Sequence, residues 1–339
     1  MNVRRLIPAT AVTGAVALGL VALSACAGTS DAADKGSSGK LDVVASFYPM
    51  QYLAEQIGGG HVSVDTLTKP GVEPHDLELK PRQIGELGEA DVILYLKGIQ
   101  PAVDEAIAQA GVKNTVDAAT LTKLEAHGTE AGHEHEGESA EEHAAHGEEH
   151  GAEEAGHEGH DHGTEAGTDP HIWLDPVKYA EVAKGVGATL EKADPAHAAD
   201  YKKNTDALVK KLGDLNTEFA TGLKNTTTKT FITTHSAFGY LAERYGLEQE
   251  GITGIDPESE PSPARIKELQ DIAKKDKVST VFFETLASDK TAKTLAGDTG
   301  LTTDVLDPLE GITDKSKGDD YIEVMQSNLA ALKKALGAK

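Results

Sequence analysis

Imidazole and carboxylate groups are the side chains here whose types and spacing could do chemistry, and that chemistry is the holding of a divalent cation. Nine of the fourteen histidines fall within residues 127–162, beside twelve Asp or Glu, and the stretch has no Lys, Arg, Ile, Leu, Val or Phe. With almost nothing to bury, it cannot offset its own ordering entropy and reads as a disordered insertion. Pairs such as His133-Glu134-His135 and His160-Asp161-His162 can grip a metal loosely, and His143, His146, His150 and His157 extend that accessory low-affinity capacity. The same entropy makes the tract a poor primary site. It reads as an antenna or sensor for metal, against the plainer reading of a solvated, dispensable insertion.

Five histidines lie elsewhere: His61, His75, His171, His197 and His235. His61 opens a strand and His197 sits on an exposed helix, so both read as structural. The other three fall in loops at strand ends or corners. They are Gly71-Val-Glu-Pro-His75-Asp76, Asp169-Pro-His171-Ile-Trp173 with the single Trp of the chain, and Thr233-Thr-His235-Ser236. Three imidazoles and one carboxylate suit tetrahedral Zn²⁺. Asp307, at a strand end in Leu306-Asp-Pro-Leu309, is the expected fourth ligand, with Glu73 or water as the alternative. Glu284, closing Val281-Phe-Phe-Glu284, could accept from an imidazole and orient it.

Positioning these loops falls to an alternation of strands and helices, which implies α/β lobes with parallel sheets. The expected organisation is a lipoprotein signal peptide (residues 1–25), a flexible tether (26–40), an N-terminal α/β lobe (41–193) interrupted by the 127–162 insertion, a linking helix (194–224) and a C-terminal α/β lobe (225–339). The linking helix reads as one run of about 29 residues from Pro195, roughly 43 Å long and able to bridge two lobes. Ligands of such folds sit in the cleft beyond the strands' carboxyl ends. Arg4 and Arg5, then an apolar stretch of small residues, then Leu23-Ser-Ala-Cys26, resemble a bacterial lipoprotein signal, in which the Cys becomes lipid-modified, against the plainer readings of an ordinary signal peptide or an uncleaved membrane anchor. That predicts an exported protein anchored to the outer face of the cytoplasmic membrane. As the only cysteine, Cys26 leaves no intrachain disulfide. A net charge of −24 excludes nucleic acid as a partner and suits a cation.

The motifs Gly71-Val-Glu-Pro-His-Asp76, Asp169-Pro-His-Ile-Trp-Leu-Asp-Pro176, His235-Ser-Ala-Phe-Gly-Tyr240, Arg244-Tyr-Gly-Leu247 and Leu306-Asp-Pro-Leu309 resemble, in order, the zinc-binding solute-binding proteins of ABC importers (ZnuA-type, cluster A-I). The resemblance spans essentially the whole mature chain, and a His-rich acidic insertion marks the family's zinc branch. It implies two lobes joined by a backbone helix with the metal between them, and His75, His171 and His235 as ligands. The expected function is a monomeric receptor that hands Zn²⁺ to a permease, and no enzyme, because no general base is placed by motif beside the metal and a fourth protein ligand would close the site. The manganese and iron branch has Glu where this chain has His235, and imidazole in place of carboxylate favours Zn²⁺. Zinc members of some groups carry a disulfide in the second lobe, which this chain lacks. The competing readings are a manganese or iron receptor, a zinc hydrolase, and an extracellular zinc buffer or adhesin. Because His must be neutral to ligate, zinc binding is expected to weaken below pH ~6, near the ordinary His pKa of ~6.5.

Overall fold

A computed structural model of the chain describes residues 39–111, 114–127 and 168–339. Cys26 and the tract histidines from 133 to 162 lie outside the described residues. His127, which composition groups with the tract, lies inside them and is held against the protein.

The first lobe runs β1 (Leu41–Ala45), α1 (Tyr48–Gly58), β2 (Val62–Thr66), α2 (Pro81–Glu89), β3 (Val92–Tyr95), α3 (Pro101–Ala110) and β4 (Thr115–Asp117). Two helices follow, α4 (Pro176–Ala193) and α5 (Ala198–Gly222). The second lobe runs β5 (Thr230–Thr233), α6 (Gly239–Tyr245), β6 (Glu248–Gly251), α7 (Pro263–Lys275), β7 (Thr280–Phe283), α8 (Lys290–Thr299), β8 (Thr302–Val305) and α9 (Tyr321–Ala335). Both sheets are parallel throughout and share one order, β2-β1-β3-β4 and β6-β5-β7-β8. The second lobe therefore repeats the wiring of the first, and the carboxyl ends of each lobe's strands feed its functional loops.

Helix starts follow local chemistry. Asp175 accepts from the Val177 amide with Pro176 in the first turn of α4, and Ser262 accepts from the Arg265 amide with Pro263 in the first turn of α7. A short polar acceptor followed by Pro satisfies one orphan N–H while Pro lacks another.

The linking helix differs from the expectation. Residues 195–197 form a 3₁₀ turn, and α5 proper begins at Ala198, giving 25 residues or about 38 Å. His197 Nδ1 donates to Asp194 Oδ2 at 2.6 Å, which holds the turn in that tighter form. Tyr201, Thr205, Leu208, Leu212, Leu215 and Phe219 make one buried stripe along α5, each large apolar member worth about 1.5–3 kcal/mol of burial. The α4–α5 contact is close enough that a Cβ on Gly187 would overlap Thr205. One continuous core includes Phe47 and Leu94 from the first lobe, Trp173 and Tyr179 beyond it, and Phe231, Leu306 and Tyr321 from the second. The lobes are thus fused through a shared interior, which fixes the loops facing each other across it.

Candidate metal centre

Four loops converge where the lobes meet. His75 lies in the loop from β2 to α2, and His171 immediately before a 3₁₀ turn at Ile172–Leu174 that leads into α4. His235 follows β5, and Glu310 follows β8. The Nε2 atoms of His75, His171 and His235 lie 3.4, 3.3 and 3.3 Å from one oxygen, Glu310 Oε1. All four donor atoms fall within 4.8 Å of one another. His171, His235 and Glu310 are at most 1% exposed.

Those separations are long for charge-assisted hydrogen bonds, which run about 2.7–2.9 Å. They match the edges of a coordination tetrahedron, because donors about 2.0–2.1 Å from Zn²⁺ stand roughly 3.3–3.4 Å apart. His171 Nε2, His235 Nε2 and Glu310 Oε2 are buried with no hydrogen-bond partner. Buried polar atoms are almost always satisfied, so these three mark a place built for a cation.

Each imidazole is oriented from behind. His171 Nδ1 donates to Asp169 Oδ1 at 2.7 Å, and His235 Nδ1 donates to Glu284 Oε1 at 2.7 Å. Thr234 also donates to Glu284. A proton fixed on Nδ1 leaves the Nε2 lone pair facing the cluster, the tautomer a metal needs. Burial opposes charge on His171 and His235. The facing carboxylates (Asp169 and Glu310 for His171, Glu284 and Glu310 for His235) outweigh it and hold both pKa values above the ordinary range. Burial likewise resists ionisation of Glu310, yet His235, His171 and His75 hold its carboxyl well below the usual range.

The expected fourth ligand, Asp307, is not brought to the three imidazoles. Its carboxylate is used within its own turn: Oδ1 accepts from the Leu309 amide at 2.9 Å, and Oδ2 from Thr285 and Ser316 at 3.1 and 3.0 Å. The Asn328 side chain brackets its backbone, accepting from Asp307 N and donating to Asp307 O. Leu309 has a left-handed φ of 59°, a costly conformation for a side-chain-bearing residue, and this bonding holds it there. The turn then delivers Glu310. Trp173 Nε1 donates to Pro308 O at 2.7 Å, and Tyr321 donates to Trp173 O at 2.6 Å, so the His171 corner and the Glu310 turn are bolted together.

Glu73, the alternative, sits beside the cluster, with Oε1 accepting from the His75 amide at 3.1 Å and Oε2 buried without a partner. Burial, followed by repulsion from Glu310, pushes its carboxyl up to about 9. Burial thus favours its protonated form, while the three imidazoles favour the ionised form of Glu310.

The model of the zinc-uptake complex component A family (periplasmic) matches residues 43–335. The chain belongs to the zinc-uptake complex component A family. It is 36% identical over 324 residues to the high-affinity zinc uptake system protein ZnuA of Bacillus subtilis (strain 168), covering 94% of each chain. It is 33% identical over 305 residues to the zinc-binding lipoprotein AdcA of Streptococcus pneumoniae (strain ATCC BAA-255 / R6), spanning 88% of this chain and 56% of that longer one. The crystal structure of the Zn(II)-bound ZnuA-like domain of S. pneumoniae AdcA superposes with a TM-score of 0.68 at 31% identity, covering 88% of this chain and 99% of that one.

Within this family member, sequence reasoning missed Glu310 and Asp169. The signal available for both was the acid-Pro-X triplet. Asp169-Pro-His171, Asp175-Pro-Val177 and Asp307-Pro-Leu309 each close with the aspartate accepting from the amide two residues on, and Glu73-Pro-His75 does the same with a longer side chain. Pro offers no N–H, so the carboxylate takes the next one. An aspartate opening such a triplet is engaged in the turn, and the residues it presents come after it.

Proposed function

We propose that this chain is an extracytoplasmic receptor that captures Zn²⁺ between its lobes and delivers it to the permease of an ABC importer. The observation that carries this reading is the meeting of three Nε2 atoms, each 3.3–3.4 Å from one carboxylate oxygen and all within 4.8 Å of one another, in a buried centre. His75, His171, His235 and Glu310 are the proposed ligands, with Asp169 and Glu284 orienting His171 and His235. Nitrogen-dominated donors favour zinc over manganese, and the Bacillus and Streptococcus relatives named for zinc uptake and zinc binding support the same cargo. A catalytic zinc keeps one position open for water or substrate. Four protein donors at one centre favour a carrier of the ion over an enzyme that uses it. Lipid anchoring through Cys26 and a monomeric state complete the proposal.

The test pairs two measurements. Zinc titration of the full chain and of His171→Ala should show one tight equivalent, lost in the variant. Zinc uptake by cells lacking the gene, under chelation, should fail and be restored by the unaltered chain but not by His171→Ala. Uptake that persists without the gene would favour a buffer or adhesin. Hydrolysis of ester or phosphate substrates by the zinc-loaded chain would favour the enzyme.

A further inference from the structure

His127 is the first histidine of the acidic tract, and it is seated in a prepared niche. Its ring packs edge-on against Tyr240 with centroids 4.4 Å apart. It also lies against Gly239, where a Cβ would overlap both the imidazole and Asp169. Its Nδ1 contacts Asp169 Oδ2 at 3.1 Å. The other oxygen of that same buried carboxylate takes the His171 Nδ1 proton at 2.7 Å. One aspartate therefore orients two imidazoles, one in the buried centre and one at its edge. The His127 Nε2 atom faces Glu243 Oε2 at 2.9 Å, and Glu125 completes a group whose ligand atoms lie within 4.8 Å of one another. The group borders a cavity of about 290 Å³ lined by His127, Ser236 and Glu243 among others.

We infer that Glu125, His127 and Glu243 form a second, weaker site for a borderline divalent cation such as Zn²⁺, at the root of the His-rich tract. The chemistry is that of the buried centre in reduced form. An imidazole is held by a carboxylate on Nδ1, and its Nε2, hydrogen-bonded to Glu243 at 2.9 Å in the metal-free protein, would exchange that proton for the cation, with two carboxylates beside it. Weakness follows from its surroundings. Glu243 is 59% exposed, so its charge is screened by solvent. Lys123 lies 3.4 Å and Lys178 3.8 Å from Glu125 Oε1 and compete for it. That competition is modest. Lys123 is largely exposed, and exposed pairs are worth little. Lys178 makes its short bond of 2.7 Å to the Lys123 carbonyl.

The bland alternative is an ion-pair clasp that fastens the tract to α6, and stoichiometry separates the two. In the full chain, His133, His135, His143, His146, His150, His157, His160 and His162 are replaced by Asn, and bound Zn²⁺ is counted by equilibrium dialysis. This background should hold two equivalents, one tight and one weaker. His127→Gln and Glu243→Gln should each lose the weaker and keep the tight one. His75→Ala should do the reverse, so failure of the buried centre and failure of this site remain distinguishable. Glu260→Gln, an exposed carboxylate elsewhere, should keep both. A background holding a single equivalent, or an unchanged count in Glu243→Gln, would show a clasp only and overturn the inference.

Discussion

The two clusters on either side of Asp169 use the same groups in different solvents. His75, His171, His235 and Glu310 lie in an interior almost closed to water, while Glu125, His127 and Glu243 lie at an edge where Glu243 is mostly exposed. In the buried centre each orphaned atom carries a desolvation penalty that a cation relieves, so metal binding is strongly favoured there. At the edge, lysines flank Glu125, and Glu243 pairs with His127 while open to solvent, so a metal gains less. The comparison teaches that burial and a fixed tautomer, more than the number of imidazoles, make a tight site. The tract holds more histidines than the rest of the chain and is still the poorer candidate.

The largest break in this contrast should come from Glu310→Gln. Removing the only ionised ligand should weaken zinc by more than the ~100-fold that outer partners typically cost, measured by competition with a chelator. The pH dependence comes next. Zinc must displace protons from imidazoles whose pKa values are raised in the metal-free state. The metal-free protein binds more protons than the loaded one, so affinity should rise with pH through those raised values. Weakening should therefore begin above pH 6.5 on acidification, earlier than an ordinary His would predict, by about tenfold per unit for each proton displaced. Affinity flat between pH 8 and 6 would contradict this.

Asp169→Asn should lower affinity by roughly 10–100-fold, because it loosens the His171 tautomer without removing a ligand. In Asp307→Asn the turn should weaken, with a stability loss of about 1–3 kcal/mol in denaturant unfolding and a smaller change in zinc affinity than in Glu310→Gln. The reverse order of these two variants would return Asp307 to the ligand set. Smallest of all, Glu243→Gln should leave the tight equivalent within about twofold, as for a surface substitution.

Much of the architecture was legible from the sequence because periodicity and turn residues are local. The strand–helix alternation gives two α/β lobes, and the repeated order of the sheets carries it through. The linking helix is shorter than expected because Asp194-Pro195 signals a helix start, while the 3₁₀ form of residues 195–197 depends on the His197–Asp194 contact. His75, His171 and His235 were legible as loop residues at strand ends. Glu310 was not, since it differs from Asp307 only in which way a turn faces. That direction is set by Asn328, Thr285 and Ser316, whose proximity is tertiary. His127 was absorbed into the tract by composition, and only its meeting with Asp169 and Glu243 separates it.

The central claim is that four named side chains, and not Asp307, hold the ion. An anomalous-difference map at the zinc absorption edge, from crystals of the zinc-loaded chain, tests it most directly. The account predicts a buried peak about 2.0–2.2 Å from Nε2 of His75, His171 and His235 and from a Glu310 oxygen. A peak ligated by Asp307, or one that leaves Glu310 outside coordination distance, would contradict it.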